Sequence, residues 1–241
     1  MIDIHCHVLP EIDDGAKSLD ESMALIHQAI EQGITRIVAT PHIHVGIYDN
    51  NQQTILGAYS RVQQEIKAQG LPIELRVAAE VRICPEIIML AKQNQLPFVG
   101  DFDEKKVLLL ELPSSHLPAG VEKLIDWLIN SNILPMIAHP ERNRELQRYP
   151  DRIKPFQQRG CLFQLTAASL IGDLGDSPKA LSQLWIKKKL YTIIGSDCHS
   201  IKRRPPKLHQ AYSITKELTD DTYATQLVVD NPYLISKRLF S

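Results

Sequence analysis

The sequence predicts a single α/β domain, residues 1–241, in which a parallel sheet closes into a distorted (β/α)7 barrel. Short apolar strand patterns alternate with amphipathic helical patterns along the whole chain. The strands are nearly continuous apolar runs, which is typical of parallel strands that are covered on both faces. A chain of this length can form one well-packed domain, and no low-complexity linker divides it.

The first strand-helix unit shows the pattern clearly. The strand pattern MIDIH is followed by SLDESMALIHQAIEQG, in which Ser18 and Glu21 have the spacing of a capping box. Apolar residues then recur at helical spacing, at Leu19, Met23, Ile26 and Ile30. Gly33 suits the end of this helix, because glycine adopts the left-handed backbone conformation that ends many helices.

The other units follow in chain order. Strands are predicted over 34–40, 73–80, 106–111, 134–139, 161–166 and 190–197. Helices are predicted between them over 54–69, from Pro85, over 119–130, up to Gly160 and from Ser177, and further helices follow the last strand. This order gives seven strand-helix units, enough to close a sheet on itself.

Composition excludes several classes of function. The 27 Lys and Arg residues balance 28 Asp and Glu residues without a run of like charge, which argues against a nucleic-acid partner. The N-terminus lacks the pattern of a signal peptide, and the apolar runs are too short to span a bilayer, so we expect no membrane insertion. Four cysteines lie far apart, without a CxxC pair. They favour reduced thiols and a cytoplasmic location.

Ligand-type side chains stand at six of the seven predicted strand ends, where barrel enzymes carry their chemistry. They are His5, His7, Asp14, His42, Glu80, Glu111, His139, Asp197 and His199. His5 and His7 are one residue apart, so on an extended chain both point to the same side, and Asp197 and His199 repeat this spacing. Only strand six, which ends at Thr166, lacks such a group.

These nine donors predict a metal centre. Carboxylates and imidazoles buried so close together would cost several kcal/mol unless cations paired with them. Nine donors exceed the needs of one ion, so we expect two or three ions with a bridging carboxylate. Oxygen and nitrogen donors without thiolate suit manganese, iron or zinc. His27, His116 and His209 are interpreted as surface or hydrogen-bonded histidines, and His44 stays open between the two interpretations.

The motifs IDIHCH, DDGA, TPH, AAE, AHPERNRE and SDCHS, in this order and over essentially the whole chain, carry a family resemblance. The chain resembles the PHP (polymerase and histidinol phosphatase) superfamily, and within it the bacterial protein-tyrosine phosphatases of the CpsB/YwqE type from capsule and exopolysaccharide loci. The resemblance implies a distorted seven-stranded barrel and a trinuclear centre usually supplied with manganese. It also implies that a metal-bridging hydroxide hydrolyses phosphotyrosine on the tail of a bacterial tyrosine autokinase.

The resemblance also implies a role for each ligand position. The first ion would be held by His5, His7, Glu80 and Asp197, with Glu80 bridging to a second ion. Glu111 and His139 would complete the second site, and Asp14, His42 and His199 would hold the third ion.

Two arginines are candidates for binding substrate phosphate: Arg142 in HPER and Arg204 in RRPP. A guanidinium can hold a phosphate through two parallel hydrogen bonds. Arg203 stands beside Arg204, and either could turn inward. Asp13 or His44 could protonate the leaving oxygen, and the sequence does not decide between them.

Three alternatives compete with this interpretation. Cys198 and Arg204 have the C-x5-R spacing of cysteine-dependent tyrosine phosphatases, but CHSIKRR has no glycine, and Cys198 alternates with the two ligands beside it. A small-molecule phosphatase, such as a histidinol-phosphate phosphatase, would share the metal centre and differ in its substrate loops, so it stays open. A non-catalytic module would have lost ligands, whereas all nine positions are filled.

Overall fold

The computed structural model describes all residues 1–241. It contains ten short strands: β1 Ile2–Asp3, β2 Arg36–Ala39, β3 His42–Ile43, β4 Glu74–Val77, β5 Glu80–Arg82, β6 Gly100–Phe102, β7 Lys105–Glu111, β8 Ile133–Ala138, β9 Leu162–Thr166 and β10 Ile193–Gly195. All pair in parallel except β6, which pairs antiparallel with β7 and was not predicted.

Helices connect the strands and cover the sheet. They are α1 Leu19–Glu31, α2 Gln52–Ala68, α3 Ile87–Lys92, α4 Val121–Asn130, α5 Arg144–Arg148, α6 Lys154–Gln158, α7 Ala167–Ile171, α8 Asp176–Lys187, α9 Leu208–Leu218, α10 Asp221–Thr225 and α11 Asn231–Ser236. Ser18 caps α1 by accepting from the Glu21 amide, while the Glu21 carboxylate accepts from the Lys17 amide. No helix combines the length and apolar character needed to cross a bilayer.

The sheet is interrupted but keeps one order around the barrel. One part has the order β1-β2-β4 and the other the order β10-β9-β8-β7-β5-β3. The predicted strand 73–80 is broken, so that β5 continues β4, and a separate short strand beyond the predicted strand 34–40, β3, continues β2. Two backbone hydrogen bonds join the segment after β1 to the segment after β10: the Asp197 amide donates to the His5 carbonyl at 2.8 Å, and the His7 amide donates to the Cys198 carbonyl at 2.9 Å. The predicted distorted barrel is confirmed.

Side chains that alternate along β7 pack in two different apolar clusters, and the same alternation sets the direction of Glu111. In β7, Val107 and Leu109 belong to an apolar cluster of 11 buried residues, whereas Leu108 and Leu110 belong to the larger cluster of 49. Because side chains two apart share a face, Glu111 continues the row of Val107 and Leu109. The strand therefore ends with a carboxylate on the side of its smaller cluster.

Candidate metal centre

The nine ligand-type residues come together where the parallel strands end. Their donor atoms form four overlapping groups, and within each group the atoms lie within 4.8 Å of one another. The groups are His7, Asp14, His42 and His199; His5, His7 and Glu80; His5, His139 and Asp197; and His42, Glu80 and Glu111. The grouping differs from the division that the resemblance implies at three histidines: His7 also joins Asp14 and His199, His42 also joins Glu80 and Glu111, and His139 joins His5 and Asp197.

Glu80 occupies the middle of this arrangement. The break in the predicted strand 73–80 makes it the first residue of β5, in register with His42 of β3, rather than the last residue of a strand. Its Oε1 lies 2.7 Å from His139 Nε2. Its Oε2 lies 3.2 Å from His5 Nε2, 3.3 Å from His7 Nε2 and 3.2 Å from His42 Nδ1. The two oxygens thus face different imidazoles, as a bridging carboxylate requires.

Asp197 uses its two carboxylate oxygens differently. Its Oδ2 accepts from Arg142 and Arg204, each at 2.6 Å, and from the Thr166 hydroxyl at 3.1 Å. Its Oδ1 lies 3.5 Å from Nε2 of both His5 and His7. Three donors therefore fix the carboxylate through one oxygen and leave the other directed at the imidazoles.

Backbone geometry brings the chain segments close enough for these contacts. A Cβ added at Gly195 would lie 2.7 Å from the His5 Cβ, and one at Gly15 would lie 2.2 Å from the His7 carbonyl oxygen. His139 and Asp197 have φ values of 30° and 50°, which are strained for residues with a side chain. Such strain is common at functional sites, because the surrounding fold must hold the residue in place.

The nine ligand-type residues form a cage, and most buried side-chain atoms without hydrogen-bond partners lie in it. They include His5 Nδ1 and Nε2, His7 Nε2, His42 Nδ1, Glu80 Oε2 and Asp197 Oδ1. Leaving a buried polar atom unpaired costs about 1–3 kcal/mol. Since the nitrogen and oxygen atoms just named converge without hydrogen bonds to one another, they fit cations placed between them.

The carboxylates and imidazoles of the cage shift one another's pKa values. Burial would raise the pKa of Glu80, but His5, His139 and His42 hold it well below its usual range. Burial would also raise the pKa of Asp197, but Arg204, His5 and Arg142 hold it well below its usual range. Burial lowers the pKa of His139 to about 4, and burial together with His7 lowers that of His199 to about 4. Both imidazoles are therefore neutral at pH 7, the form that binds metal.

Asp13 supports the cage from outside. Its Oδ2 lies 2.8 Å from His7 Nδ1 and accepts the His42 amide at 3.1 Å, and its Oδ1 accepts the Gly15 amide at 2.8 Å. Burial would raise its pKa, but His7 and these amides lower it. Asp13 is therefore an ionised partner that orients His7, which argues against it as the acid for the leaving oxygen.

The chain matches the family model for capsular polysaccharide synthesis, CpsB/CapC, over residues 1–237. The chain belongs to this family.

Curated CpsB/CapC relatives resemble the chain over most of their length. It is 34% identical over 218 residues to the tyrosine-protein phosphatase YwqE of Bacillus subtilis, covering 90% of this chain and 85% of YwqE. It is 35% identical over 216 residues to the putative tyrosine-protein phosphatase CapC of Staphylococcus aureus, covering 90% of this chain and 84% of CapC. The resemblance found from the motifs is confirmed.

A solved structure extends the similarity to the fold. The chain superimposes with a TM-score of 0.91 and 31% identity, over 98% of this chain and 94% of the other, on a structure described as that of YwqE from Bacillus subtilis and CpsB from Streptococcus pneumoniae, unique metal-dependent tyrosine phosphatases. The barrel expected from the sequence is therefore the barrel of this CpsB/CapC-type structure.

Within this CpsB/CapC fold, the two predicted arginines reach the site. Arg142 and Arg204 both contact Asp197, and their side chains are 31% and 21% exposed. Arg203 is exposed to solvent, so Arg204 is the arginine that turns inward. Cys198, in contrast, is 1% exposed and packs in the large apolar cluster, as its alternation with the ligands predicted.

Sequence reasoning missed several residues that contact the cage. Thr166, at the strand end without a ligand, donates to Asp197, and its amide donates to the buried Glu141 at 3.1 Å. Arg82 pairs with Glu111 at 2.9 Å. Tyr48 stacks on His42, with ring centroids 5.5 Å apart and an interplanar angle of 11°. Among these residues, the sequence could have indicated only Thr166, because it stands at a predicted strand end.

Proposed function

We propose that this protein is a metal-dependent protein-tyrosine phosphatase that hydrolyses phosphotyrosine on the tail of a bacterial tyrosine autokinase of capsule or exopolysaccharide synthesis. The observation that carries the proposal is the buried, unpaired donor set around Glu80 and Asp197, with two arginines bonded to the same aspartate. Tyrosine phosphatase names among the relatives support the substrate, and the family description supports the capsule context.

The proposed metal ligands are the nine residues predicted from the sequence: His5, His7, Asp14, His42, Glu80, Glu111, His139, Asp197 and His199. They would hold two or three ions. Five imidazoles and four carboxylates without thiolate suit manganese, and iron or zinc would also be accepted. Glu80 is the proposed bridge, because its two oxygens face different imidazoles.

The metal ions and the arginine side chains have different roles in the proposed reaction. When bound by these residues, the ions would supply Lewis-acid chemistry: a nucleophile available near neutral pH and positive charge to offset that of the phosphate. Arg142 and Arg204 orient the phosphoryl group. Each uses one N–H on Asp197, and the Arg204 Nε is buried without a partner. A guanidinium carries five donors, so both side chains keep N–H groups for phosphate oxygens.

No nucleophilic side chain is part of the proposal. Cys198 lies in the apolar cluster behind the strand, away from the imidazoles and carboxylates. A thiol in such surroundings is inert compared with the exposed thiolates of cysteine-dependent phosphatases. The C-x5-R spacing of Cys198 and Arg204 is accordingly assigned to coincidence.

The location proposed for the enzyme is the cytoplasm. All four cysteines are free thiols, which suits a reducing compartment. Lys and Arg balance Asp and Glu, which gives no reason to expect a nucleic-acid partner.

The decisive experiment compares substrates on metal-stripped protein after addition of manganese, zinc or magnesium. Phosphotyrosyl peptides, phosphoseryl peptides and histidinol phosphate are tested under the same conditions. We expect phosphotyrosyl peptides to be hydrolysed with the highest kcat/KM, and only after metal is restored. A wide preference for histidinol phosphate would make the protein a small-molecule phosphatase, while activity that survives complete metal removal would refute the metal centre.

A further inference from the structure

A third arginine, Arg82, contacts the cage at Glu111. Arg82 ends β5, Glu111 ends β7, and the two residues are register partners in neighbouring parallel strands. The guanidinium NH1 lies 2.9 Å from Glu111 Oε1, and the two side chains are 21% and 14% exposed. The ion pair is thus built into the sheet and partly shielded from water.

Glu111 divides its two carboxylate oxygens between Arg82 and the cage: Oε1 lies 2.9 Å from the guanidinium NH1. The second oxygen, Oε2, lies 4.0 Å from His42 Nδ1, and Glu111 forms one of the four donor groups with His42 and Glu80. A carboxylate this close to another would turn away or take up a proton if nothing held it.

We propose that Arg82 is a positioning residue: it binds Glu111 Oε1, keeps Oε2 turned into the cage, and so sets the cation affinity of the group His42, Glu80 and Glu111. The inference rests on the proposed function, since it needs a metal at these residues. It adds a residue outside the ligand set and a property, metal affinity, that the residue controls.

Two effects of the guanidinium oppose each other. Its charge repels a nearby cation, which would weaken metal binding. Its hydrogen bond fixes the ligand carboxylate, and loss of such an outer partner typically lowers metal affinity about 10- to 100-fold. Positioning prevails here, because Arg82 NH1 holds Oε1 at 2.9 Å and thereby leaves Oε2 on the side of His42 and Glu80.

The chain offers a matched control in Arg36. Arg36 and Glu74 are also register partners in neighbouring parallel strands, with Nε 2.8 Å from Oε1, and their side chains are 30% and 47% exposed. Neither residue belongs to a donor group. Arg36→Gln therefore removes a cross-strand ion pair of the same design without touching the cage.

The test measures manganese binding by equilibrium dialysis and elemental analysis on full-length wild type, Arg82→Gln, Arg82→Lys and Arg36→Gln, with thermal melting as a check of folding. We expect Arg82→Gln to weaken the binding of one ion about 10- to 100-fold. Arg82→Lys should show a smaller loss, since one N–H donor can still reach Glu111. Arg36→Gln should bind manganese as wild type does.

Activity on a phosphotyrosyl peptide completes the test. At saturating manganese, Arg82→Gln should recover most of kcat with KM unchanged. Equal or tighter manganese binding by folded Arg82→Gln would overturn the inference, because charge repulsion would then prevail. A raised KM with unchanged metal binding would also overturn it, since Arg82 would then act on substrate. Wild type that binds no metal would refute the proposed function together with this inference, whereas the other outcomes leave the proposed function intact.

Discussion

The cage has a closed side and an open side, and the two differ in exposure. On the closed side, His5, His7 and Glu80 are fully buried and Asp197 is 1% exposed. On the open side the residues are accessible, with side-chain exposures of 46% for Asp14, 13% for His42 and 14% for Glu111. Water can stabilise the charges of the open side but not those of the closed side. Without cations, the charges of the closed side are therefore more costly to bury than those of the open side.

The largest expected effect is at Glu80, in the centre of the closed side. Glu80→Gln removes the charge that bridges two donor groups, so it should lower metal content and reduce turnover by more than the roughly 10- to 100-fold typical of outer partners. Elemental analysis and phosphotyrosyl peptide hydrolysis measure both. Glu86→Gln is the control, because Glu86 is exposed at the start of α3. Similar effects at the two positions would remove the bridge.

A smaller effect is expected at Asp14, on the open side. Asp14→Asn leaves His7, His42 and His199 in its donor group, so metal binding should weaken without the loss of the whole cluster. Because the side chain is 46% exposed, water screens its pairs with His42 and His199, and the free energy of unfolding without metal should change by no more than about 1 kcal/mol. Chemical denaturation and metal titration test this. Asp14→Asn as damaging as Glu80→Gln would abolish the distinction between the sides.

Behind the closed side, Glu141 links stability to pH. Burial raises its pKa from 4.5 to about 7, so the folded state keeps a proton that the unfolded state has already lost. As pH rises from 4.5 through 7, metal-free wild type should lose about 3 kcal/mol more of its free energy of unfolding than Glu141→Gln loses. Denaturation at a series of pH values checks this, and parallel profiles for the two proteins would contradict it.

The smallest effect on activity is expected at Cys198, which lies between two cage residues but packs in the apolar cluster. Cys198→Ser should keep most activity and cost about 1–2 kcal/mol of stability, because a buried hydroxyl replaces a thiol. A chelator should inactivate wild type, and an alkylating reagent should not. A folded but inactive Cys198→Ser, with no effect of the chelator, would support thiol chemistry instead.

The sequence predicted the barrel and the convergence of the nine donors because both follow from local patterns. Strand periodicity locates strand ends, and parallel strands bring those ends together. The contacts of Arg82 with Glu111 and of Thr166 with Asp197 depend on cross-strand register and on distant segments, which no local pattern encodes. The break before Glu80 and the antiparallel β6 likewise arise from tertiary pairing.

The most direct test of the account is the metal content of protein purified without chelator, measured by elemental analysis against protein concentration. Nine donors in four overlapping groups, with Glu80 shared between two of them, are the basis of the proposal that the chain binds more than one cation. We expect a value reproducibly between two and three ions per chain. A value at or below one ion per chain, with full phosphatase activity, would contradict the multinuclear centre.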